Sequence, residues 1–198
     1  MGGVKRLPYD AEIEYLQSSG NQWIEIESVK YNASNSYRIE CGVMNLMNLY
    51  GGRYNGWDAG GAFGFLNKYT DGSGNFFGPT SVDTYADITL VINSGSSSQS
   101  NMTVVVNSDS YSNSRGHGSL GIYASNKGYH LFAMYSSGSV IKNTFERIYY
   151  CKLYINDSLV CDLIPVRIEQ DGYLFDKISG TLFSNQGRGD FILGPDKT

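Results

Sequence analysis

Cysteine, histidine, proline and charge are all scarce in this chain of 198 residues, and each shortage removes a class of explanation. Three cysteines, Cys41, Cys151 and Cys161, are an odd number at no metal-ligand spacing, so the chain encodes neither a disulfide framework nor a zinc cluster. The two histidines, His117 and His130, stand apart without a nearby Cys or Asp, which supports no catalytic dyad. No metal and no cofactor is expected. Fifteen Lys and Arg against nineteen Asp and Glu give a net charge of -4 with no basic stripe, which argues against a nucleic-acid partner or an anionic membrane surface. No apolar run approaches the roughly 18 residues needed to span a bilayer. Helical periodicity is missing too; the nearest approach, "MNLMNLY", is short.

The opening "MGGVKRLPYD" has no apolar core and does not read as a secretory signal. Gly2 would suit myristoylation, but Arg6 stands where that pattern wants Ser or Thr. The expectation is a product made in a cytoplasm, released only by a particle or by lysis. The length suits one domain, burying roughly 70% of its unfolded surface without staples. We expect a short leader over 1–10 and a single domain over 11–198. Leu7, Pro8 and Tyr9 beside Lys5 and Arg6 make the leader a candidate docking segment for a neighbouring subunit or an acidic socket, with a frayed terminus as the alternative.

What the chain does have is alternation with a period of two. "QWIEIES" sets Ile24 and Ile26 against Trp23, Glu25 and Glu27; "ADITLVIN" and "MTVVVN" behave alike. Such patterns are half-buried antiparallel strands. Gly/Ser/Asn clusters such as "SGSSSQSN", "SDSYSNSRGHGS", "NDS" and "NQGRG" separate them as turns. Within 94–119 we expect a hairpin with two long polar loops. With 24 Gly, 16 Tyr and 9 Phe, the chain is expected to form an all-β sandwich or barrel filled by aromatic and β-branched residues.

One hairpin can be set in register from the residues. "RIYYCKLYI-ND-SLVCDLIPV" fits a two-residue turn at Asn156-Asp157. Ile155 then faces Ser158, Leu153 faces Val160, Lys152 faces Cys161 and Cys151 faces Asp162. In that register Cys151 and Cys161 project to opposite sides and form no disulfide. Cys41, alternating with Tyr37, Ile39 and Val43, belongs on the apolar face of its strand.

Several stretches bear chemistry-capable residues. "YGGRYNGWDAGGAFGF" offers Tyr54, Asn55, Trp57 and Asp58 as a candidate ligand site, an aromatic platform with directed polar groups; the alternative is a glycine-punctuated strand pair with Trp57 in the core. "TDGSGN" spaces Asp71, Ser73 and Asn75 like calcium ligands, but Val82 stands where a closing carboxylate belongs, so a plain turn is favoured. The pairs Glu12/Glu14 and Glu25/Glu27 read as solvated strand faces. "NQGRGDFILG" contains Arg188-Gly189-Asp190, a tripeptide that integrins read on adhesion proteins, yet in a glycine-rich chain it is a weak match.

Two stretches, "LPYDAEIEYLQSSGNQWIEI" and "RIYYCKLYINDSLVCDLIPVRIEQDGYLFDKISGTLFSNQGRGDFILGP", resemble a domain of gut bacteria and their bacteriophages. That domain is similar to the concanavalin A-like (laminin G-like) jelly roll. The resemblance covers about a third of the chain and is loose over 45–140. Cys161 stands where the family usually has Arg, and Asp157 where it has a turn Gly. The family's own Gly-x-Gly turn before the last strand accounts for Gly187 and Gly189, leaving Arg188 as the variable tip. The resemblance implies a two-sheet antiparallel jelly-roll sandwich and two alternative roles. One is a bacteriophage virion protein (fibre, spike or surface-decoration subunit) made in the bacterial host cytoplasm, acting in assembly and attachment. The other is a carbohydrate-binding, lectin-like module of a bacterial surface protein. Partners would be other virion proteins and a host-surface or mucosal glycan, with a homo-oligomer, a trimer foremost, for avidity. Hydrolases of this fold carry Glu-x-Asp-x-x-Glu; the chain has no such signature, so it is expected not to be an enzyme.

Overall fold

The computed structural model describes residues 6–32, 34–47, 54–58, 62–65, 81–93, 102–113, 127–136, 139–141 and 145–198; at 54–58 and 62–65 the description is of the backbone. Among the described residues there are nineteen strands and no helix. The N-terminal part holds β1 (Ala11–Glu12), β2 (Leu16–Gln17), β3 (Ile24–Lys30), β4 (Tyr37–Met44) and β5 (Leu46–Met47). Next come β6 (Tyr54–Asp58), β7 (Ala62–Phe65), β8 (Ser81–Val82), β9 (Ala86–Ile92), β10 (Met102–Val106) and β11 (Asp109–Asn113). Then follow β12 (Gly128–Leu131), β13 (Met134–Ser136), β14 (Ser139–Ile141), β15 (Arg147–Ile155) and β16 (Ser158–Ile168). The chain closes with β17 (Asp171–Asp176), β18 (Leu182–Phe183) and β19 (Ile192–Leu193).

The larger sheet runs β11-β10-β9-β4-β15-β16-β17-β18, with β1 beside β16 and β2 joining β15 to β19. The smaller runs β14-β13-β6-β12-β3, with β7 beside β6. Among the described residues pairing is antiparallel except between β13 and β6. Both sheets feed one apolar cluster. Ile24, Ile26, Tyr129 and Leu131 enter it from the smaller sheet; Ile39, Val43, Ile88, Leu90, Ile92 and Leu153 enter from the larger. The arrangement is sandwich-like, and burial alternates along β9 as its sequence alternates.

The Ser/Asn-rich segment holds a hairpin of β10 and β11, as expected within 94–119, but its turn cluster is partly strand. "SDSYSN" is not all turn. Asn107 and Ser108 turn the chain, and Asp109–Asn113 returns as β11 against β10. Asn107 takes the left-handed φ of 54° that Asn tolerates better than most residues. The turn is clipped to β9 by Asn107 N donating to Asp87 O and Asp87 N donating to Asn107 Oδ1. Polar composition concealed a strand at the edge of the sheet.

The Asn156-Asp157 turn stands where the sequence places it, with φ of 48° and 63°, the paired left-handed geometry of a tight hairpin. Ile155 faces Ser158 as expected. Tyr154 still faces Leu159, and beyond it the register slips at a bulge: Leu153 faces Cys161, Lys152 faces Asp162 and Cys151 faces Leu163. The expected pairings of Leu153 with Val160, Lys152 with Cys161 and Cys151 with Asp162 are therefore corrected. A one-residue slip moves every later side chain to the other face. Cys161 thus shares the inner face with Leu153 and Cys151, and Cys151 lies directly across from Cys41. All three thiols are free and fully buried. Burial raises the proton affinity of Cys41 and Cys161, which keeps them protonated and poorly nucleophilic.

Ellman's reagent is expected to find no fast-reacting thiol in the native protein and all three once it is denatured. A thiol that titrates promptly without denaturant would contradict the inner-face placement.

Candidate functional site

The two ends of the chain interlock. Gly194 N donates to Tyr15 O at 2.9 Å, Glu14 N to Pro195 O at 2.9 Å and Lys197 N to Glu12 O at 2.8 Å. The C-terminal "SNQGRGD" packs on "QSSGNQ" in the same way. Gln22 is 1% exposed; its Nε2 donates to Arg188 O, 166 residues away, at 3.0 Å. Its Oε1 accepts from Ser19 N and from Ser18 Oγ. Asn185 shapes the turn from inside: Oδ1 accepts from Gly187 N at 2.7 Å, and Nδ2 donates to Gly189 O at 2.6 Å. Gly187 presses on the Asn21 carbonyl, where a Cβ would overlap the oxygen. Gly189 needs its left-handed φ of 71°. The Arg-Gly-Asp stretch is thus a turn with committed backbone; Arg188 and Asp190 remain exposed.

Beside this turn lies a cavity of ≈ 350 Å³. Asp171, Gly172 and Tyr173, at the start of β17, line one side, and the 184–191 turn lines the other. Gly172 forms a floor, because an added Cβ would stand 2.5 Å from Leu16 and 2.6 Å from Leu193. Phe191 backs the cavity, its ring 4.8 Å from that of Phe132. Asn185 is spent on the scaffold, a positioning residue. Asp171, Asp190, Ser184 and the Tyr173 hydroxyl make no side-chain hydrogen bond to any described residue, and all four border the cavity. Sequence reasoning singled out Asp190 only as part of the Arg-Gly-Asp tripeptide and passed over Asp171, Tyr173 and Ser184, since two of the four come from a hairpin start and two from a turn, and only packing of the chain ends unites them.

The outer side of the smaller sheet holds a second cluster. Trp23 stacks on His130 with centroids 5.3 Å apart. His130 Nδ1 lies 3.0 Å from Gly128 O, and Glu25 Oε1 accepts from Gly128 N at 2.8 Å. Glu25 is 8% exposed, which corrects its reading as a solvated face; Glu27 is exposed as expected. Glu25 Oε2 stands 3.9 Å from His130 Nε2. The expected ligand residues Tyr54, Asn55, Trp57 and Asp58 all lie on β6, whose Gly56 is opposite His130. Their side chains lie outside the described residues, as do Asp71, Ser73, Asn75 and His117.

A third feature is a tyrosine face on the larger sheet. The β15–β4 register passes from Ile148 opposite Val43 to Tyr150 opposite Gly42, leaving Tyr149 as the extra residue of a bulge. Tyr149 and Tyr150 both stay partly exposed while Ile148 and Cys151 are buried. Tyr149 meets Tyr15 at 5.5 Å and Tyr85 at 5.0 Å. Tyr85 and Tyr150 both donate to Asp87 Oδ1, at 2.7 and 2.8 Å. Burial and that hydrogen bond push the Tyr85 hydroxyl up to about 12. Arg147 lies over the Tyr15 ring at 4.4 Å.

Among the described residues no group of three or more His, Cys, Asp or Glu is placed to hold a metal ion. Compared with known proteins, the chain matches no family model, no curated protein and no solved structure.

Gly187→Ala is expected to cost about 2–4 kcal/mol, because backbone must move to admit the Cβ, whereas Arg188→Ala stays within about 0.5 kcal/mol; urea unfolding of both variants measures the contrast. Burial lowers the proton affinity of His130 below its ordinary value, against an opposing pull from Glu25. The unfolded chain therefore takes up this proton first, and stability present above about pH 6.5 is lost as pH falls toward the depressed folded value. Melting curves between about pH 7.5 and about pH 5.5 should fall for the parent and fall less for His130→Gln. Equal slopes would remove His130 from the account.

Proposed function

We propose that the protein is a non-catalytic attachment module that binds carbohydrate in the cavity between β17 and the 184–191 turn. The observation that carries this reading is one hollow bordered by four residues whose polar side chains make no hydrogen bond to a described residue, the half-exposed Tyr173 among them. Small-ligand sites combine an aromatic or apolar wall with a few directed polar groups. The walls are held by the approach of Gly187 to the Asn21 backbone and by the Leu16 and Leu193 side chains packed on Gly172, so binding would need little ordering.

The setting rests on the resemblance of the two end stretches to the jelly-roll domain of gut bacteria and their bacteriophages. In that setting the fold is a concanavalin A-like jelly roll, and the protein is a virion fibre, spike or decoration subunit; the alternative is a lectin-like module of a bacterial surface protein. The tyrosine face favours a role in assembly, because Tyr and Arg are enriched where proteins meet and Tyr15, Tyr85, Tyr149, Tyr150 and Arg147 gather there. A trimer would turn weak single-site binding into avidity. Leu7 is 58% exposed, whereas Tyr9 packs on Phe175 at 5.1 Å and Asp10 Oδ2 accepts from Glu169 N. Any docking role for the leader therefore falls to residues before Tyr9.

Glycan-array binding of the full chain should be retained by Arg188→Ala and reduced at least about tenfold by Tyr173→Ala, roughly 1.4 kcal/mol. Binding that survives Tyr173→Ala unchanged would move the site elsewhere. Mass spectrometry of purified phage particles separates the two settings: peptides of this chain in virions support the first.

A further inference from the structure

We propose that the cavity takes an uncharged sugar read through its hydroxyl donors, and rejects glycans that carry carboxylate or sulfate. This rests on the reading of the cavity as a carbohydrate site and adds a ligand class to it. The unengaged groups around the hollow are acceptor-rich. The carboxylates of Asp171 and Asp190 can only accept when ionised, while Ser184 and Tyr173 hydroxyls can do either. A complementary ligand must bring several donors, as the vicinal hydroxyls of a pyranose do. A purely apolar ligand would leave both carboxylates desolvated and unpaired.

Among the described residues no Lys or Arg lines the cavity beside the two carboxylates. Arg188 is not among the residues lining the cavity, and its backbone N and O are engaged by Asn21 and Gln22. Arg167 is held in a two-pronged pair with Asp196, at 2.7 and 2.6 Å. Lys177 is paired with Asp162 at 2.8 Å. An anionic sugar would meet uncompensated like charge, which costs specificity interfaces far more than a lost contact. The volume of ≈ 350 Å³ lies near the lower end of the roughly 300–1,000 Å³ of ligand pockets, so one or two rings are the natural size.

The test is titration calorimetry or array binding of the full chain with one glycan core in three forms: neutral, capped with sialic acid, and sulfated. The neutral form should bind at least about tenfold more tightly than either anionic form, and the gap should shrink in high salt. Asp171→Asn with Asp190→Asn, both at exposed positions, should weaken the neutral glycan and narrow the gap. Equal or tighter binding of the anionic forms overturns this inference while leaving carbohydrate attachment standing. An unchanged gap in the double variant overturns it too. Absence of binding to all three forms and to every other glycan on the array removes both.

Discussion

Strand β15 pairs along both of its edges, with β4 and β16, and also takes β2, so its side-chain alternation sets that of the larger sheet. It carries two register shifts, one against each neighbour. Because side chains alternate with a period of two, each shift decides what faces the core and what faces water. The shift beside Leu153 turns Cys161 inward, onto the face that holds Cys151 and Cys41. The shift at Tyr149 lets two consecutive tyrosines remain on the surface, with Gly42 clearing room beneath the Tyr150 ring. A regular ladder would have buried one of that pair.

The interlocked termini translate this sheet into a site. β2 lies between β15 and β19, and Leu16 and Leu193 pack under Gly172. The start of β17 is thereby set against the C-terminal turn, and the cavity is the space left between them. Its rigidity comes from the approach of Gly187 to the Asn21 backbone, which leaves no room for a Cβ, and from the packing of the Leu16 and Leu193 side chains on Gly172. Its chemistry comes from side chains that the scaffold does not use. The two roles are divided by residue: Asn185 and Gln22 hold the turn, while Asp171, Asp190, Ser184 and Tyr173 border the hollow.

Buried polar groups elsewhere do structural work of a similar kind. Glu25 receives Gly128 N, and Glu146 receives the Phe132 amide at 3.1 Å beside a left-handed φ of 62°. Burial alone would raise the Asp176 carboxyl, but Ser179 Oγ and the amides of Asp162, Ile178 and Ser179 donate to it and hold it below the usual range. Each carboxylate thus offsets its own desolvation by satisfying amides that a turn or bulge would otherwise strand.

Local chemistry made much of this legible in advance. Alternation marked β3, β9 and β10 as strands, and Asn156-Asp157 marked its own turn, because period and left-handed tolerance are properties of neighbouring residues. The glycines of "NQGRGD" identified that segment as a turn for the same reason. Nothing local, however, distinguishes Glu25 from Glu27: the first is buried because β12 and Trp23 enclose it. Nor could alternation reveal the bulges, since an extra residue is recognised only against the partner strand that lacks it. The cavity is further still from the sequence, for its residues are brought together by pairing between chain ends. By itself the sequence determined strand, turn and the all-β class, which depend on near neighbours; facing, thiol alignment and the site were decided by tertiary packing, because each depends on which distant strand supplies the other wall.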